Sequence, residues 1–362
     1  VLNGNYDYSY FDYKNLKGYV NHIPMQQDAA GGHAYVLLCA YHKFGDPRYL
    51  EHCKSALEAL ISQKESRFYE ALLPLGVYVA AYLNATEGTN YNVSKLFDWV
   101  FNGCQSSSGR TGWGIIVGKW GDYDVSGLQG SITDGGGYAF LMNSIKPAWP
   151  FIPLVKYQPE YAKAIGKWML NNSSACRLFY PGDIDEKHQW APELKNITNN
   201  HVSYEGLKKA DDYGKESLKG VSPVAIGDGP KWIEGNPAES MFSVYSSSPV
   251  GILGAIITKT DVEGILQLDC NATDFYVDKP YPVYLYYNPY KEAKTITYRA
   301  SQECDLFDIV AKKYVARNVN ESGLIEIPAN DARVIVELPQ GTVLELQDGK
   351  IIANKENIIA YK

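Results

Sequence analysis

Phe44-Gly45-Asp46-Pro47-Arg48-Tyr49-Leu50 decides the reading of the first two-thirds of this 362-residue chain. Gly45 can close a helix in the left-handed conformation, Asp46 can cap the next helix with its carboxylate, and Pro47 has a φ already set for a first helical position. The segment therefore predicts a helix on each side. Upstream, Gln26 to Phe44 places Ala30, Ala34, Leu37, Leu38 and Tyr41 at helical spacing; downstream, Leu50, Cys53, Leu57, Leu60 and Ile61 form one stripe.

A second pair follows, from Phe68 to Leu83 and from Asn92 to Phe101, with Gly88 and Gly103 as punctuation. Tyr157-Gln158-Pro159-Glu160-Tyr161 then repeats the Asp-Pro-x-Tyr kind of helix entry ahead of the apolar stripe Tyr161, Ile165, Trp168 and Met169. From Pro280 the period changes. Val283–Tyr287, Thr295–Tyr298, Leu324–Ile327 and Val334–Leu338 read as strands, with Asn288-Pro289, Asn320–Gly323 and Pro339–Gly341 as turns and Asp348-Gly349 joining a final hairpin. The chain is expected to divide into a helical domain, 1–260, and a β-sandwich, 261–362.

The composition is that of a globular protein, with 45% hydrophobic and 21% charged residues. A net charge of -7 argues against a nucleic-acid backbone as partner, which clustered cations would have to hold. A local basic patch for an anionic polysaccharide stays compatible with that total. No apolar run reaches the length of a membrane span. The start at Val1 is compatible with a processed, exported protein. Six cysteines, at 39, 53, 104, 176, 270 and 304, include no CxxC pair and no zinc spacing, so neither metal nor cofactor is expected, and Cys39 and Cys53 read as buried thiols. No phosphate-binding loop, dinucleotide fingerprint or G-x-S-x-G elbow occurs. Tyrosine is abundant, 29 residues, and couples an apolar face to a polar tip; that suits sugar rings, though some folds simply pack with Tyr.

The helix, the Phe44–Leu50 turn and the amphipathic helix after it resemble the hairpin unit of α/α-toroid proteins, many of them six-hairpin glycosidases or polysaccharide lyases. A complete ring needs more helices than the pattern supplies before residue 260, so the expected toroid is an incomplete one. Leu306-Phe307-Asp308-Ile309-Val310 followed by Ile327-Pro328-Ala329-Asn330-Asp331-Ala332-Arg333 is similar to the accessory C-terminal β-domains of carbohydrate-active enzymes. The resemblance implies a carbohydrate substrate, a secreted or periplasmic location and chemistry at a cleft rimmed by helix N-termini.

The segment least explained by packing runs from Gly112 to Gly137, where Trp113, Trp120 and Tyr123 could stack on sugars, or simply fill a turn-rich connection. Asp134 reads as the N-cap of a helix beginning near Tyr138, or as a base or nucleophile held ionised by the helix dipole. Glycoside hydrolysis needs a second carboxyl group that carries a proton, and Glu70, Asp28 and Glu205 are the candidates, each otherwise an ordinary cap or surface acid. His33 follows Asp28 on the first helix. His201 and Tyr204 suit the proton abstraction of a uronate-specific lyase. Asp122 and Asp124 are compatible with ligand or calcium contact, but two acids are too few for a site. Hydrolase, uronate lyase and non-catalytic glycan-binding protein all remain open.

Overall fold

The structure, a computed structural model, describes residues 5–21, 25, 27–66, 68–102, 113–131, 137–194, 204–209, 215–226 and 247–361. Its contacts divide the chain into two units. One comprises residues 1–79, 92–147 and 171–252; the other comprises 80–91, 148–170 and 253–362. The expected division at residue 260 is a single cut, whereas the contacts group two earlier segments with the C-terminal part.

In the first unit, helix α1 (Ala29–Phe44) and helix α2 (Pro47–Ile61) pack as a hairpin. Gly45 closes α1 at φ 70 with its N–H on Tyr41 O, and Asp46 caps α2 by accepting from Arg48 N. Helix α3 (Leu73–Glu87) is apolar nearly all round, and in this unit its Leu73, Val77, Tyr78 and Val79 are buried. Helix α4 (Val93–Phe101) starts at Asn92, whose side chain accepts from Lys95 N, and buries Val93, Leu96, Phe97 and Val100. The Lys95 ammonium donates to the carbonyls of Ile61 and Gln63 at 2.7 and 2.8 Å, satisfying the open end of α2.

α1 and α3 cross on glycine. A methyl group at Gly31 would stand 2.8 Å from Leu72 O and 3.1 Å from Gly76 N, and one at Gly76 would stand 3.1 Å from Gly31 Cα. The two main chains therefore touch directly, which only residues without Cβ permit.

The helix expected from Tyr138 begins at Leu141 instead (Leu141–Ile145), and Tyr138–Phe140 is a strand. It belongs to a five-stranded antiparallel sheet whose order is Trp113–Ile115, Gln129–Ser131, Tyr138–Phe140, Gly206–Lys208 and Val224–Ile226. Gly130 makes the sheet possible, since a side chain there would strike the Tyr138 carbonyl. Strand pairing with Ala139 and Phe140 thus overrides the helical reading of this stretch.

In the second unit a six-stranded antiparallel sheet runs in the order 257–259, 266–269, 283–288, 331–339, 304–308, 313–319. A two-stranded sheet, Lys294–Arg299 with Ser322–Ile327, shares a core with it: Tyr286, Leu306 and Ile335 from one meet Ile296, Tyr298, Ile325 and Ile327 from the other. A three-stranded sheet, 344–347, 350–353 and 357–360, completes the unit, and Asp348-Gly349, both at positive φ, turn its first hairpin. Asp308 and Arg333, from the two motifs singled out in the sequence, form a buried ion pair at 2.5 Å. The chain is thus a mixed helix and strand protein. Among the described residues, no helix is long and apolar enough to cross a membrane.

Candidate functional site

Asp28 sits at the N-terminus of α1 with φ -66 and ψ -13, and its side chain makes no capping bond within the helix. Instead its carboxylate accepts from the Tyr69 N–H, just before α3, with Glu70 within electrostatic reach. The glycine crossing explains this meeting, because bringing α1 against α3 at Gly31 and Gly76 carries the start of α1 onto the segment that leads into α3. Asp28 is only 2% exposed. Burial pushes its carboxyl up to about 7; the Tyr69 N–H pulls it part of the way back, and the charge of Glu70 pushes it further up. An acid of that strength still holds its proton near neutrality, which an ordinary aspartic acid does not.

Two further side chains reach the Tyr69-Glu70 segment. The Gln129 amide donates to the Glu70 carbonyl, and the strand carrying it is fixed by Ser144, whose hydroxyl accepts from Gln129 N at 2.9 Å and donates to Phe140 O at 2.7 Å. The Trp113 ring lies 5.2 Å from the Tyr69 ring, and Trp113 pairs with Ser131 in the same sheet. The side-chain amide of Gln27, the residue before Asp28, donates to Asp7, and its main-chain carbonyl accepts from Gln63.

These side chains have polar atoms to spare. Among the described residues, Gln27 Oε1, Trp113 Nε1 and Gln129 Oε1 are buried without a hydrogen-bond partner, and so are both amide atoms of Asn143, the residue before Ser144. Leaving such an atom buried and unpaired costs about 1–3 kcal/mol, so several of them in the unit that holds Asp28 need an explanation. A ligand carrying both donors and acceptors supplies one.

The other sequence candidates are placed elsewhere. Glu205 precedes the strand Gly206–Lys208 and accepts from the Tyr138 hydroxyl at 2.6 Å. Tyr204 is 1% exposed, and its hydroxyl donates to Gln189 Oε1 at 3.1 Å. His33 is exposed on α1, with Nδ1 3.2 Å from the Tyr6 hydroxyl. Trp120 and Tyr123 pair in a short hairpin; Trp120 is buried, and Tyr123 accepts from Asp185 N and meets the His188 ring edge-on at 5.0 Å. Gly121 turns this hairpin at φ 55 against Ser222 O. Asp122 and Asp124 are exposed, and the Asp124 carboxyl is held low by hydrogen bonds from Ser126. Among the candidates, then, Asp28, Glu70 and Trp113 are brought together. Asp134 and His201 lie outside the described residues.

Gln27, Tyr69 and Gln129 carry no signal as single letters in the sequence. Their part follows from a helix crossing and a sheet register that span distant segments. Among the described residues, no group of three or more His, Cys, Asp or Glu side chains could hold a metal ion, and Cys53, Cys176, Cys270 and Cys304 are free thiols.

No protein-family model matches the chain, and no curated protein matches it. Among solved structures it is similar to a GH127 β-L-arabinofuranosidase from Geobacillus stearothermophilus T6, with 11% identity and a TM-score of 0.34 over 90% of this chain. The chain spans 57% of that protein's length. A likeness of this size carries no argument about fold or activity, and the reading below stands on the side chains of the first unit.

Proposed function

We propose that the chain is a carbohydrate-active enzyme of the glycoside hydrolase type, with Asp28 as general acid and Glu70 as the carboxylate beside it. The observation that carries the reading is a buried acid whose pKa is raised to about 7, with a second carboxyl group in electrostatic reach and, in the same unit, buried polar atoms that have no partner among the described residues. Sugar hydroxyls both donate and accept, so they can serve Trp113 Nε1 and the carbonyl oxygens of Gln27 and Gln129 together. Asp28 would protonate the leaving glycosidic oxygen, while Glu70 would activate water or attack the anomeric carbon. Asp134, three residues beyond the strand position that pairs with Trp113, is the alternative for that second role.

On the same reading the helical hairpins belong to an incomplete α/α toroid, the two packed sheets of the second unit form a β-sandwich, and the protein works in a secreted or periplasmic setting. A uronate lyase draws no support from Tyr204, whose buried hydroxyl is already engaged with Gln189.

The test is to incubate the protein with a panel of neutral and uronate-containing glycans while following new reducing ends and the ultraviolet absorbance of unsaturated products. Reducing ends without absorbance are expected, falling by roughly 10²–10⁴ in Asp28→Asn. Absorbance growing with turnover would mean a lyase, and binding without turnover a glycan-binding protein; either result overturns the assignment.

A further inference from the structure

The second unit holds a cleft of its own, of about 70 Å³, walled by Lys156 and Tyr157, the loop 277–281, Val283 and Val336 of the six-stranded sheet, and the C-terminal segment Ile358 to Tyr361. A water needs about 10–15 Å³ on this measure, so the space corresponds to a handful of waters, the footprint of a single sugar ring.

The lining includes the aliphatic side chains of Val283, Val336 and Ile359 and the tyrosine rings of Tyr281 and Tyr361, the latter with its centroid 5.7 Å from that of Tyr157. The polar groups fall into two kinds. Lys156 is spent as a charge, since its ammonium pairs with Asp274 at 2.5 Å, but not as a donor. It gives one further hydrogen bond, to Asn271 Oδ1 at 2.9 Å, and a lysine ammonium has three N–H groups. The Tyr361 hydroxyl and the exposed Asp278 and Lys279 make no hydrogen bond or ion pair among the described residues.

The wall is also built with some strain. Tyr276 opens the loop at φ 61, a left-handed conformation that bulky side chains rarely adopt.

A site with an aliphatic and aromatic lining, unspent donors and rim charges of both signs selects a small amphipathic ring without net charge. We propose that this cleft is a second saccharide-binding site, for one neutral sugar unit, separate from the Asp28 cluster. The ring's apolar face lies on Val283, Val336 and the Tyr361 ring, and its hydroxyls meet the third Lys156 N–H, the Tyr361 hydroxyl and the Asp278 and Lys279 side chains. Binding here is independent of turnover at Asp28 and gives the second unit a task of its own.

Saturation-transfer NMR and calorimetric titration with a panel of neutral mono- and disaccharides test this on three proteins: the Asp28→Asn variant, the same protein carrying Asp278→Ala and Lys279→Ala, and the same protein carrying Tyr361→Phe. The expected result is that a neutral saccharide binds the Asp28→Asn protein, and that the rim pair and Tyr361→Phe each weaken this binding at least several-fold with unchanged melting temperature. Glucuronate, carrying a charge, should bind at least tenfold more weakly than the corresponding neutral sugar. The proposal is overturned if no saccharide binds Asp28→Asn, or if the rim and Tyr361 changes leave binding untouched. Because loss of hydrolysis is read separately, failure of the catalytic assignment at Asp28 leaves this outcome legible.

Discussion

Replacing Asp28 with Asn removes an ionisable group while keeping its shape and an oxygen that can still accept from the Tyr69 N–H. The effect on stability can be worked out without knowing any substrate. An acid whose folded-state pKa lies above its unfolded value makes the folded protein hold the extra proton between the two. Stability therefore falls as pH rises through that window, and the full penalty is present above the folded pKa. For Asp28 the window runs from 3.8 to about 7. Such a gap is worth on the order of 4 kcal/mol once both states are ionised, at about 1.36 kcal/mol per decade of pH. The Asn variant escapes this penalty. Its stability relative to the parent should be lowest near pH 4, climb steadily to pH 7 and then level off. Urea unfolding of both proteins at half-unit steps from pH 4 to pH 8, read as the shift in midpoint, measures the difference. A flat difference across that range would show that Asp28 titrates normally, and the case for a proton donor at this position would fall with it.

The remaining predictions concern the frame around the acid and the second unit. Gly31→Ala puts a methyl group 2.8 Å from Leu72 O, so it should cost roughly 1–3 kcal/mol in thermal or denaturant unfolding and lower activity through the displaced α1. Trp113→Phe keeps a ring against Tyr69 but removes an N–H that has no acceptor among the described residues. If a ligand uses it, KM should rise several-fold, in line with a hydrogen bond worth about 0.5–1.5 kcal/mol, and kcat should change less. Arg333→Met strands the buried Asp308 carboxylate and should destabilise the chain by about 3–5 kcal/mol in denaturant titration. Adding Asp308→Asn should recover most of the loss, which a purely steric role for Arg333 would not allow.

Much of the fold was legible where the signal is local. The Gly45-Asp46-Pro47 turn needs only three adjacent residues, and the structure forms it with the closing glycine and the capping carboxylate in the expected roles. The strands from Val283 to Pro339 are long enough to show alternation, and Asp348-Gly349 marks its hairpin by chemistry alone. The five-stranded sheet of the first unit was not legible. Each of its strands spans three residues, glycine occupies several of their positions, and Phe140 finds its partner at Gly206, far along the chain. A period cannot be read from three residues, so this stretch looked like a loop. The site divides in the same way. Asp28 and Glu70 stand out as acids near helix starts, but nothing local says that a buried Gln129 reaches the Glu70 carbonyl or that the Trp113 N–H finds no acceptor among the described residues.

The contact between Gly31 and Gly76 acts as a ruler for the chemistry proposed above. The carboxyl separation in a glycosidase governs whether the sugar keeps or inverts its configuration, with about 5–5.5 Å for one outcome and about 6.5–9.5 Å for the other. Here Asp28 opens α1 and Glu70 stands on the segment leading into α3, so their spacing depends on the crossing at which Gly31 and Gly76 bring the two backbones together. An engineer wishing to switch the stereochemical result could not do so by repacking around the acids. The handle would be the crossing itself, where a single added methyl group acts as a shim and every step in spacing comes at the expense of the helix pair that supports it.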